Sequence, residues 1–185
     1  MTKSTQSRTV GEAIQEFYSK NNLGENGGEK RRFSWIKFGF FSFPILNLNS
    51  RNKNVYLHDI NHIITKNEAT WKGESAVSAW EIASGGWGNI YIIWFLALWT
   101  MGLGVLIYPK TVLKSFKQGQ TMNNALTCGL SKEELLRFSS DDLSKYVSNK
   151  TKRNSSPYFW MVISFIVFAL PFTFFFVVIW ACIIN

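Results

Sequence analysis

No charged side chain follows Arg153, and within that tail Tyr158–Ile184 is a 27-residue apolar run split by Pro171. A helix crosses a bilayer core with about 20 apolar residues. The run therefore reads as membrane-embedded and excludes an ordinary soluble monomer. Two geometries fit it. One is a single kinked spanning helix, since proline is tolerated in membrane helices. The other is a hairpin of two roughly equal halves that dips in and returns. Trp160 and Trp180 lie near the two ends, where interfacial aromatics belong, and favour the spanning helix.

A second apolar block lies earlier. No charge occurs from Ile82 to Pro109, and residues 89–108 (NIYIIWFLALWTMGLGVLIY) are long enough to span, to lie shallowly in the membrane, or to pack as a buried helix. Lys and Arg number 11 in residues 1–87 and 9 in residues 109–157, so both flanks of this block are basic. Cationic loops stay on the cytoplasmic side. A helix that enters shallowly or packs on the domain leaves both flanks there, whereas a spanning one does not. The expected location is a cytoplasmic or inner membrane, with the polar domain on its cytoplasmic side. The formal charge of +8 then points to an anionic membrane surface as partner. Nucleic acid is not expected, because no basic-aromatic reader motif accompanies the charge. Cys128 and Cys182 are too few for a disulfide framework and read as inert apolar residues. The opening MTKSTQSRTVGEAIQEF has no apolar core, so a cleavable secretory signal is not expected.

Three segments follow from these shifts. Residues 1–32 form a polar N-terminal segment, with a weak amphipathic helix at Val10–Tyr18 and a Gly/Asn-rich linker ending in Lys30-Arg31-Arg32. Residues 33–154 form the domain, including the apolar helix 89–108, and residues 155–185 the C-terminal transmembrane segment. Within the domain, the aromatic stretch FSWIKFGFFSFPILNL (33–48) reads as a core strand or loop, or as a segment at the membrane interface. Helices are predicted over Val55–Thr65 and Gly73–Ala83. Two short ones are predicted in SKEELLRFSSDDLSKYV, where Ser131 precedes Glu134 and Ser139 precedes Asp142 in capping patterns.

The chain has two histidines, and both fall in LHDINH. His58 and His62 stand at i and i+4, on one helix face, with Asp59 near the same edge. Glu74 comes twelve residues after His62, at the start of the next predicted helix. A helical hairpin could fold that carboxylate back on the imidazoles, giving a mixed N/O site suited to Zn²⁺, Fe²⁺ or Mn²⁺. The competing reading is a solvated polar face, with Asp59 orienting a histidine. A zinc protease needs His-Glu-x-x-His, which this motif lacks. Phosphohydrolases with a His-Asp pair need further histidines, and none remain.

His58-Asp59-x-x-His62, followed by eleven residues and Glu74, resembles the signature of the ubiquinone-biosynthesis Coq4 family. Gly73-Glu74 with Trp80-Glu81 is similar to that family's Gly-Glu segment, and FKQGQ (116–120) with EELLRFSSDDL (133–143) to its basic helix and leucine-rich ending. The resemblance covers residues 40–147, so the C-terminal run lies outside it. It implies an all-α fold: a helical domain with a metal-binding helix hairpin, docked on a membrane through apolar helices. It also implies a divalent metal, zinc or iron, held by His58, Asp59, His62 and Glu74. The expected activity is oxidative decarboxylation of a prenylated aromatic quinone precursor, with Glu74 and Glu81 as catalytic residues and Glu81 managing a proton. Expected partners are a membrane lipid with a prenyl tail, other enzymes of the pathway, and a second copy if the chain forms a homo-oligomer. The alternative is a non-catalytic scaffold whose metal staples the hairpin. Trp71 and Trp80 could stack on an aromatic head group but read more readily as packing. Gly85-Gly86 and Gly102-x-Gly104 read as turns and close helix contacts.

Overall fold

The computed structural model describes residues 8–21, 33–38, 41–46, 49–148 and 151–184. The linker expected within 22–32 lies outside them. In chain order the elements are α1 (Val10–Lys20), β1 (Phe33–Phe38), β2 (Phe41–Leu46), α2 (Asn49–Thr65), α3 (Trp71–Ala83), α4 (Tyr91–Ile107), α5 (Pro109–Gly119), α6 (Lys132–Arg137), α7 (Ser140–Tyr146) and α8 (Pro157–Ile184). The fold is helical, as expected, apart from one hairpin. β1 and β2 pair antiparallel from Phe33↔Leu46 to Phe38↔Phe41. An all-α class misses this pair, which forms where Phe, Trp and Ile supply strand propensity. Pro44 is tolerated there because both strands of a two-stranded ribbon are edges.

The chain divides into two compact units, residues 1–66 with 125–148 and residues 67–124 with 149–185. In unit 1, α1 packs with α2, α6 and α7. Val10, Ile14 and Tyr18 recur every fourth residue and are buried with Leu57, Ile60 and Ile64 of α2 and with Leu135 and Leu143. The start of α1 is clamped to the α6–α7 junction: the Val10 amide donates to the Phe138 carbonyl (2.8 Å), and the Ser140 amide to that of Arg8 (3.0 Å). The helix starts are capped by their own sequence. Ser131 and Glu134 form a complete capping box and Ser139 caps α7 through the Asp142 amide, as the spacing predicts; Thr9 and Glu12 form a second box on α1.

In unit 2, α3 packs against α4 and α5, and α4 against α8. Ala76, Ala79, Trp80, Ala97, Met101, Val112 and Phe116 are buried in its core. Two glycines of α4 make the contacts close. A Cβ on Gly102 would collide with the Ser164 carbonyl oxygen of α8, and one on Gly104 with the Ser75 side chain of α3. The α8 helix runs unbroken through Pro171, so the hairpin alternative for the tail does not form. It is long and apolar enough to cross a membrane. The α4 helix, at 17 residues, is shorter. Ser156 starts α8 with its hydroxyl accepting from the Phe159 amide (3.4 Å), and Pro157 occupies the first turn, where it needs no donor.

Two predictions follow from these contacts. Gly102→Val should overpack the α4–α8 contact and destabilise the detergent-solubilised protein by about 1–3 kcal/mol, read as a lowered thermal midpoint. The second concerns acid. The Ser131 amide and then its hydroxyl hold the Glu134 carboxyl below its ordinary value of 4.5. A depressed folded value means the cap stabilises α6 above the ordinary carboxylate range and is lost as pH falls through the folded value. The Ser131 amide shift should therefore titrate with a midpoint below 4.5, and Glu134→Gln should abolish that step.

Candidate metal centre

The rotation of α2 is set by its polar residues as much as by its apolar ones. Asn61 is fully buried and its Oδ1 accepts the Ala125 amide (3.0 Å). The Ser144 hydroxyl of α7 donates to the Ile64 carbonyl (3.4 Å). With Leu57, Ile60 and Ile64 turned into the core, His58 and His62 share the neighbouring stripe one turn apart.

Their rings meet edge to face, centroids 4.9 Å apart at 85°, with the two Nε2 atoms 3.3 Å apart. His62 is 1% exposed; His58 is half-buried. The α1 helix grips this turn through two consecutive residues. Phe17 packs on the His62 ring (5.1 Å between centroids, 34°), and the Tyr18 hydroxyl donates to Asp59 Oδ2 (2.9 Å). Neither Phe17 nor Tyr18 is singled out by the motif. The available signal is that they end the amphipathic stretch Val10–Tyr18. Asp59, an expected ligand, lies buried under that hydroxyl.

The other expected site residues belong to unit 2. Glu74 sits half-buried in the first turn of α3. Thr70 caps that turn, its hydroxyl accepting the Gly73 amide (3.2 Å) and its carbonyl the Glu74 amide (2.7 Å). A carboxylate here is favoured by the positive end of the helix dipole. Glu81, two turns on, is fully buried and its Oε2 accepts the Trp87 indole N–H (3.2 Å). Trp80 is a core residue with its indole N–H on Met122 Sδ (3.4 Å), so it packs and does not present a stacking surface. Gly85 and Gly86 have positive φ and form a turn. Cys128 donates to the Ala125 carbonyl, and burial pushes its thiol up, which suits an inert residue.

Two imidazoles and a carboxylate, from His58, His62 and Glu74, are by donor chemistry a set that could hold a metal ion. The histidine pair also passes a geometric test. Two nitrogens bound at about 2.05 Å to one tetrahedral ion lie about 3.3 Å apart, and the Nε2 atoms are separated by 3.3 Å. Compared with protein families, characterised proteins and solved structures, the chain finds no match.

Glu81 gives the prediction here. Glu81→Ala leaves the buried Trp87 N–H without its acceptor and opens a cavity, and should destabilise by about 3 kcal/mol. Glu81→Gln retains an acceptor of the same shape and should cost far less. Chemical denaturation of the purified variants separates the two.

Proposed function

We propose that the chain is a metal-dependent, membrane-inserted enzyme of the Coq4 type, acting on the head group of a prenylated aromatic lipid. The observation that carries the reading is the His58–His62 pair, held at the separation of two ligands on one ion. Its spacing to Glu74 supplies the third donor. Three protein ligands leave a position for substrate, as catalytic sites do. When bound, a divalent ion would supply Lewis acidity toward a head-group oxygen, and iron in place of zinc would also serve oxidative removal of a carboxyl group as CO₂ with dioxygen as the oxidant.

The protein's own residues have separate roles in this reading. Phe17 fixes the His62 ring plane and blocks water from one of its faces. Asp59 is left to Tyr18, and through that bond sets how far α2 is rotated. Glu74 closes the ligand set. Glu81, on the same face of α3 and withheld from water, is the residue this reading assigns to proton handling, with the Trp87 indole N–H orienting its carboxyl group. The apolar helices carry the prenyl tail, and α8 inserts in a membrane whose anionic, cytoplasmic face meets the basic domain. Other enzymes handling the same lipid, and further copies of this chain, are the protein partners this arrangement suits.

Purified protein should contain about one divalent ion per chain, and His62→Ala or Glu74→Gln should lose it. Equal metal in all three would remove the assignment. Cells without the protein should accumulate a prenylated aromatic acid. Glu74→Asp keeps the charge but shortens the reach, so it should retain stability and lose lipid turnover by about tenfold or more. Normal lipid output from a stable Glu74→Asp protein would instead favour a scaffold with a structural metal.

A further inference from the structure

The contacts within unit 2 fix the height at which α8 leaves it. Trp94 stacks on Trp160, Trp99 meets Phe168, and Gly102 lies against Ser164 and Phe168, so α4 and α8 run parallel. Gly104 abuts both Ser75 and Val112, which sets the first turn of α3 and the start of α5 level with the end of α4. Ser164 and Phe168 are buried, whereas every residue of 170–184 is exposed. The α8 helix therefore goes bare at the level of the α4–α5 corner. Leu106 and Ile107 at that corner are 60% and 52% exposed. Lys72, Lys110 and Lys114 surround the same end, all exposed and none with an ion pair among the described residues. No Asp or Glu occurs between Glu81 and Glu133 to neutralise the α5 lysines.

We infer that this end of unit 2 is a bilayer-docking surface, with the membrane entered at Leu170 and the α4–α5 corner resting on the same leaflet. Leu106 and Ile107 dip into the acyl boundary, and Lys72, Lys110 and Lys114 meet anionic phospholipid head groups. The inference rests on the proposed insertion of α8 and adds its depth and orientation. Charge decides between the two entry points. A hydrocarbon core of about 30 Å starting at Pro157 would engulf Lys110 and Lys114, which lie alongside the packed half of α8. Entry at Leu170 leaves them at the interface. The bare stretch 170–184 is about 22 Å long, so entry at Leu170 inserts it into the core of about 30 Å without carrying it to the far interface. Glu74, beside Ser75, then lies level with the head groups, so a lipid head group reaches it without leaving the leaflet. Val162 and the rest of the exposed face of the packed half stay above the membrane.

The test uses the full chain with Cys128→Ser and Cys182→Ser, reconstituted in vesicles containing phosphatidylglycerol. Single cysteines at Val162→Cys, Ile107→Cys or Phe174→Cys carry a fluorophore, and nitroxide lipids quench it only on lipid contact. Deep nitroxides should quench position 174 at least about fivefold more than position 162, and shallow ones should quench 107. Equal deep quenching at 162 and 174 would overturn entry at Leu170. Quenching at 174 with none at 107 would overturn docking of the corner while leaving the anchor. No quenching at 174, with release by alkaline carbonate, would instead remove membrane insertion itself.

Discussion

Close backbone approach at Gly102 and Gly104 is the constraint from which unit 2 follows. Helix axes come together only as far as the side chains between them allow. With hydrogen at these two positions, the α8 backbone at Ser164 and the Ser75 side chain of α3 seat directly on α4. The register of three helices is thereby tied to one helical turn. Ser164 shows what the contact tolerates: its hydroxyl is buried with no hydrogen-bond partner among the described residues. An unmade bond of this kind costs free energy, and the small side chain is what permits the approach. The height of Glu74 and the point where α8 becomes bare are consequences of the same contact.

Unit 1 is organised by polar locks. Asn61 and Asp59 lie buried among the apolar residues of α2, each bonded to a different segment, Ala125 and Tyr18. Apolar burial is non-directional and would tolerate small rotations of α2. Hydrogen bonds to fixed partners do not. The two histidines inherit that precision, and Phe17 removes the freedom of one ring.

What could be read from the sequence was local. The caps at Ser131 and Ser139 involve groups three residues apart, so their chemistry is written in the chain. The i, i+4 placement of His58 and His62 is legible for the same reason. The α1 box at Thr9 and Glu12 is equally local, although the apolar content of that helix alone marks it as weak. Tertiary choices were not legible. Nothing in the sequence near Trp80 distinguishes it from Trp71, yet Trp80 is fully buried and Trp71 is not. The tail allowed both a hairpin and a helix at Pro171. A proline can only weaken a helix locally, and no glycine or polar turn residues accompany it to reverse the chain. The strands at 33–46 are only partly legible, since aromatic content suits a strand and a membrane interface equally.

The histidine pair poses a choice that hydrogen-bond chemistry sharpens. An imidazole–imidazole hydrogen bond needs one N–H and one lone pair, whereas a shared ion needs two lone pairs. The 3.3 Å separation serves either. The difference lies in what the other ring nitrogens and the third donor must do. A hydrogen bond between the rings consumes one lone pair and one N–H, and leaves each ring its second nitrogen for another partner. A carboxylate ligand would offset part of an ion's charge in a site where His62 is withdrawn from water. By donor chemistry the histidines and the carboxylate at the head of α3 are a set that could hold such an ion.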